Sequence, residues 1–163
     1  MKNLLFLFLF SCSLGLSAQT GDSACAVIKK VHAMLKSKDE RAKLKGALLE
    51  GTPGSLSKSA VYRSTIAIPG MTDAVFAEGL SRGFRAYINA RSYEEAVKQL
   101  QAFNDRMHAC FVSDYTFTES NEPRELSRSY KIVHDKDLLA GTPIRYFLER
   151  HGETFRLVLE MSY

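Results

Sequence analysis

Long apolar runs are almost missing from this chain. The only one is Leu4 to Leu16, rich in Leu and Phe. It falls short of the roughly 20 apolar residues that a comfortable bilayer span needs. No other stretch approaches that length, which excludes a membrane-spanning helical protein. Cysteine is scarce, at three residues, Cys12, Cys25 and Cys110. None is spaced Cys-x-x-Cys and no histidine pair is spaced His-x-x-x-His, so a structural zinc site is not expected. Charge of one sign is not in excess either. The net charge of +4 is far below the footprint of a nucleic-acid binder, which removes that partner class. Gly-x-Ser-x-Gly, His-Glu-x-x-His and phosphate-cradling glycine loops do not occur. Asp135-Lys136-Asp137 lacks the rest of a calcium loop. The sequence therefore names no catalytic residue, cofactor or metal.

What is present begins with an address. Lys2 is the only charge before Asp22, and small residues close the apolar run. That is the make-up of a secretory signal. Leu16-Ser17-Ala18 fits a cut after Ala18. Residues 1–18 are then a signal peptide, and 19–163 form a single exported domain of 145 residues, large enough for a core. Leu9-Phe10-Ser11-Cys12 offers an alternative, since it resembles the lipobox of bacterial lipoproteins, in which Cys12 would carry lipid and anchor the protein at the membrane. Phe10 departs from the small or β-branched residue usual there. The expected location is periplasmic or secreted, in a Gram-negative style.

In an oxidising compartment, Cys25 and Cys110 most simply form one disulfide. The loop they close is long, so the chain-entropy model assigns roughly 4 kcal/mol to the bridge.

Periodicity then organises the chain. Asp22 and Ser23 can cap a helix from about Ser23 to Lys36, with Ala24, Val27, Ile28, Val31, Met34 and Leu35 as its apolar stripe. Ser37-Lys38-Asp39-Glu40 reads as a capping box for a short second helix reaching Lys45. Gly46, Gly51, Pro53 and Gly54 mark a long loop. Period-two alternation predicts strands at Tyr62 to Ile68, Ala74 to Glu78 and Phe84 to Ala90. Ser92-Tyr93-Glu94-Glu95 caps the clearest helix. Its stripe runs through Tyr93, Ala96, Val97, Leu100, Phe103, Met107, Cys110 and Phe111. This puts Cys110 on a buried face near the helix end. Further strands are expected at Tyr115 and Phe117, and at Tyr130 to His134. A last hairpin joins Ile144 to Arg150 with Glu153 to Tyr163 through His151-Gly152.

Short turns favour antiparallel pairing. The expected fold is α+β, a two-layer antiparallel sheet with two amphipathic helices on one face, in the order α-β-β-β-α-β-β-β. In element order alone this resembles the secretion-chaperone-type folds; no motif adds to the likeness.

The organised polar feature is basic. Arg63, Arg85, Lys131, Arg145 and Arg156 take the non-core phase of their strands, and Tyr87 shares it. Neighbouring strands would make this an arginine-rich sheet face suited to carboxylates or phosphates. Glu149 and Glu160 share the phase and would partly neutralise it. Lys29, Lys30, Lys36, Lys38, Arg41, Lys43 and Lys45 stand against Asp39 and Glu40 on the first helix and its extension. Such a surface could rest on an anionic membrane. The functional expectation is a non-catalytic exported binding or adaptor domain that offers a basic sheet face or groove to a protein, peptide or anionic ligand of the cell envelope. The alternatives are an envelope hydrolase centred on His108 or His134, and a lipid-anchored structural protein.

Overall fold

Eight strands and three helices make an α+β domain in this computed structural model, which describes residues 17–54, 58–79, 82–112, 115–120, 129–134 and 142–163. The helices are α1 (Ser17–Leu35), α2 (Lys38–Ala42) and α3 (Tyr93–Cys110). The first four strands are β1 (Lys45–Glu50), β2 (Ala60–Ser64), β3 (Asp73–Glu78) and β4 (Gly83–Ala90). The last four are β5 (Tyr115–Ser120), β6 (Ser129–His134), β7 (Ile144–His151) and β8 (Thr154–Met161). All pair antiparallel in one sheet, in the order β1-β2-β3-β4-β8-β7-β6-β5. Each long helix is followed by four strands, and the two series meet where β4 pairs with β8. The topology thus repeats itself about the centre of the sheet, although no sequence repeat announces it.

The core lies between this sheet and the helices. From α1 it takes Ala24, Ile28, Val31 and Leu35, and from α3 Ala96, Leu100, Phe103 and Met107. Phe84 and Ala86 of β4, Leu157, Leu159 and Met161 of β8, and Ile144, Tyr146 and Leu148 of β7 fill the facing side. Helix α3 packs on the central strands β4, β8 and β7, and α1 packs on α3. Cys25 and Cys110 join the two helices as a disulfide, with Cα atoms 5.5 Å apart. Buried His32 ties α1 elsewhere: its Nε2 donates to the Thr142 carbonyl at 2.7 Å.

Several boundaries differ from the sequence expectation, each for a local reason. Helix α1 already runs from Ser17, so Asp22 and Ser23 lie inside it; no proline intervenes to stop it. The capping box at Ser37 is not made, because its side chain accepts no capping bond, and α2 ends at Ala42. Ser92 does cap α3, accepting from the Glu95 N–H at 3.2 Å. Tyr93 leaves the expected stripe and is 44% exposed, edge-on to Phe155. Lys45, expected to end the second helix, and residues 46–50, expected as part of a loop, form β1. Strand β2 stops at Ser64, whose side chain captures the Ile66 N–H at 3.0 Å and turns the chain out of the sheet. The final turn centres on Gly152 and Glu153, since His151 still pairs with Thr154. Gly152 supplies the positive φ of 62° there. The signal segment's first 16 residues, Cys12 and Asp135-Lys136-Asp137 lie outside the described residues.

Candidate functional site

Register, not sequence proximity, assembles the site. Strand pairing sets Arg63 beside Val75, Val75 beside Arg85, Arg85 beside Glu160, Glu160 beside Arg145, and Arg145 beside Lys131. These residues all take the phase opposite to the core. Four cations and one carboxylate thus form a straight row across β2, β3, β4, β8, β7 and β6. At the usual strand spacing the row is about 24 Å long. A parallel row one step along the strands holds Asp73, Tyr87, Val158 and Phe147. The next holds Asn89, Arg156 and Glu149. All six expected binding residues, Arg63, Arg85, Tyr87, Lys131, Arg145 and Arg156, therefore share one face of the sheet.

The centre of this face is tied by its own charges. Glu160 pairs with Arg85 and lies 3.9 Å from Arg145, so one carboxylate serves two guanidinium groups. Glu149 pairs with Arg156. The Arg156 guanidinium also stacks over Tyr87 at 4.3 Å, and that of Arg145 over Phe147 at 5.6 Å. Such stacking lets an arginine keep its charge while its stem covers apolar area. At either end of the long row, Arg63 and Lys131 are exposed, and among the described residues neither has an ion-pair partner.

Titration follows from these contacts. Burial alone would lower the pKa of Arg85, but the charge and hydrogen bond of Glu160 outweigh it and the net shift is upward. Tyr87 is pushed up by burial, against the pull of Arg156 and Arg85. The face is thus paired in its middle, with Arg63 and Lys131 exposed at its ends.

Two members of the site were not foreseen. Phe147 and Val158 sit in the same phase as the arginines, yet Phe147 is 9% exposed and Val158 is fully buried. Together with Tyr87 they make an apolar stripe between two charged rows. The signal was in the sequence: both are apolar residues in the polar phase of their strands.

The helix-borne cations are more dispersed. Arg41 donates to the Leu35 carbonyl at 2.8 Å and lies over Tyr163 at 3.9 Å. Lys43 pairs with Glu40, and Lys45 with Glu78 at 2.7 Å. Lys29 lies over Phe111 at 5.4 Å.

The histidines of the hydrolase alternative have aromatic neighbours. His108 stacks on Phe117 with ring centroids 4.0 Å apart, and His134 meets Tyr115 edge-on at 4.9 Å. Among the described residues no three His, Cys, Asp or Glu side chains gather where they could hold a metal ion. No described helix is long and apolar enough to cross a membrane. A shallow recess at the start of α3 is lined by Asn89, Arg91, Glu95, His151 and Thr154. It lies beside the Asn89, Arg156 and Glu149 row rather than under the long row. No family model, curated protein or solved structure matches the chain.

Proposed function

We propose that this protein is an exported, non-catalytic binding domain that uses the helix-free face of its sheet to hold an acidic segment of an envelope partner. The observation that carries the reading is the alignment of Arg63, Arg85, Arg145 and Lys131 in one row. Guanidinium forks take carboxylates two bonds at a time, so a row of them suits a ligand with repeated carboxylates. Half-buried Tyr87 and buried Val158 and Phe147 form an apolar stripe beside the row. Glu160 and Glu149 hold the arginines in place in the free protein, and an acidic ligand competes with them. Export is supported by the signal-like leader and by a disulfide that an oxidising compartment would maintain.

Capture from envelope extract tests the reading. Wild-type protein should retain a partner that the double variant Arg85→Glu and Arg145→Glu does not. Equal capture by both would remove this face from consideration. Mass spectrometry of the mature N-terminus tests the export route: a chain beginning at Gln19 supports cleavage after Ala18, and a lipid-modified Cys12 replaces it with an anchor.

A further inference from the structure

On the sheet face, Arg85, Arg145 and Arg156 each meet a carboxylate. The outer side of α1 is built differently. Lys29, Lys30 and Lys36 are exposed, with exposed Ala26 and Ala33 among them. At 3.6 residues per turn these positions form one stripe, opposite the buried Ala24, Ile28, Val31 and Leu35. No Asp or Glu lies between Ser23 and Ser37. Neither Lys29 nor Lys30 therefore has a carboxylate three or four residues away to pair with. Among the described residues, no ion pair ties either of them to the rest of the chain. The negative end of the helix dipole favours Lys36, just past Leu35, but its effect fades before Lys29 and Lys30. Lys29 lies over Phe111 at 5.4 Å, and Val112, the next residue, is 71% exposed.

Such a stripe suits an extended anionic surface. All three of its cations are lysines, compact hydrated charges without the fork that grips one carboxylate or phosphate at two points. The path of the chain leads to the same place. Helix α1 begins at Ser17, directly after the apolar run that ends at Leu16. Cys12, the alternative lipid site, is five residues before Ser17, within about 18 Å of it even at full extension. Of the carboxylates on α3, Glu94 and Glu95 stand in its first turn, on the order of 20 Å along the helix from Cys110. Only Asp105 lies nearer the end that the disulfide joins to α1. We propose that the outer stripe of α1 lays this protein against an anionic lipid surface, with Lys29, Lys30 and Lys36 at the head groups. Lysines near such a surface add their attractions, and an exposed apolar side chain such as Val112 adds to them. The inference does not rest on the proposed role of the sheet face. It leaves that face turned away from the membrane, since the helices cover the other side of the sheet.

Vesicle sedimentation tests it. At low salt the purified protein should partition onto vesicles of equal parts phosphatidylglycerol and phosphatidylcholine, and not onto phosphatidylcholine alone. Added salt should weaken that partitioning. Lys29→Gln, Lys30→Gln and Lys36→Gln together should lower it on the order of a hundredfold. Glutamine keeps the helix propensity of lysine, and circular dichroism confirms that the variant is folded. A charge-matched control on the sheet face, Arg63→Gln, Arg85→Gln and Arg145→Gln together, should partition as the wild type does. No partitioning of the wild type at low salt would overturn the inference, as would equal partitioning onto neutral and anionic vesicles. Equal loss in the two triple variants would overturn it too, because net charge rather than α1 would then be at work. So would a lysine variant that loses binding to an oligo-glutamate peptide yet keeps its vesicles.

Discussion

The strands β4, β8 and β7 have two faces, and the two are held by different physics. On the helix side, Phe84, Leu157, Leu159, Tyr146 and Met161 are buried against α3 and α1. On the other side the same strands carry Arg85, Glu160, Arg145, Arg156 and Glu149, with Tyr87, Val158 and Phe147 between them. One face is closed by apolar packing under the helices, and the other is tied by ion pairs on either side of a narrow apolar stripe. The helix side should govern stability. The charged side should tolerate substitution and register it as binding.

Breaking the helix side should give the largest effect. Phe84 is fully buried, and Phe84→Ala should lower stability by about 4 kcal/mol in chemical denaturation, through lost burial and the cavity left behind. The covalent tie within the helix layer comes next. Replacing Cys25 and Cys110 together by Ser should cost about 4 kcal/mol in the same measurement, with no effect of reductant on the variant. Loss of either effect would mean that the helix layer contributes less than its burial implies.

Alkaline pH sharpens the contrast, because each face has its own tyrosine. Tyr146, on the helix side, donates to Asn104 Oδ1 at 2.7 Å, and burial, with Tyr130 adding to it, holds its pKa well above the ordinary tyrosine value. Tyr87 is also raised by burial, but Arg156 and Arg85 pull it back. A tyrosine that keeps its proton in the folded state loses nothing below the unfolded pKa of about 10. Above that, the unfolded chain ionises first and stability falls as pH rises. Thermal melts should therefore drop beyond about pH 10. Tyr146→Phe should relieve more of that drop than Tyr87→Phe.

The smallest stability effect belongs to Glu160. Its pairs with Arg85 and Arg145 are partly exposed, so Glu160→Gln should cost no more than about 1 kcal/mol. The same change releases two guanidinium groups and should tighten binding of an acidic peptide. A large destabilisation without a gain in binding would show that the network serves the fold alone.

Much of this was legible in the sequence where one face is wet and the other dry. Strand β4 alternates from Phe84 to Ala90, and α3 announces itself with Ser92 and a stripe down to Cys110. The arginine phase was readable for the same reason. Strand β1 was not, because a strand exposed on both faces has no alternation to show. Tyr62 to Ile68 alternates beyond its strand because Ser64 ends the pairing with its own hydroxyl, which no periodicity reports. The site was half visible. Phase placed Arg63 and Lys131 on the same kind of face, but only strand order set them at opposite ends of one row, and strand order is a long-range property of the fold.

The face itself is tested most directly by titrating a fluorescent oligo-glutamate peptide with wild-type protein and with the Arg85→Glu, Arg145→Glu double variant, reading anisotropy at two salt concentrations. Saturable binding by the wild type, weakened by salt and lost in the folded variant, is the predicted result. Equal binding by both proteins, or none by the wild type at low salt, would contradict a ligand-holding role for the arginine row.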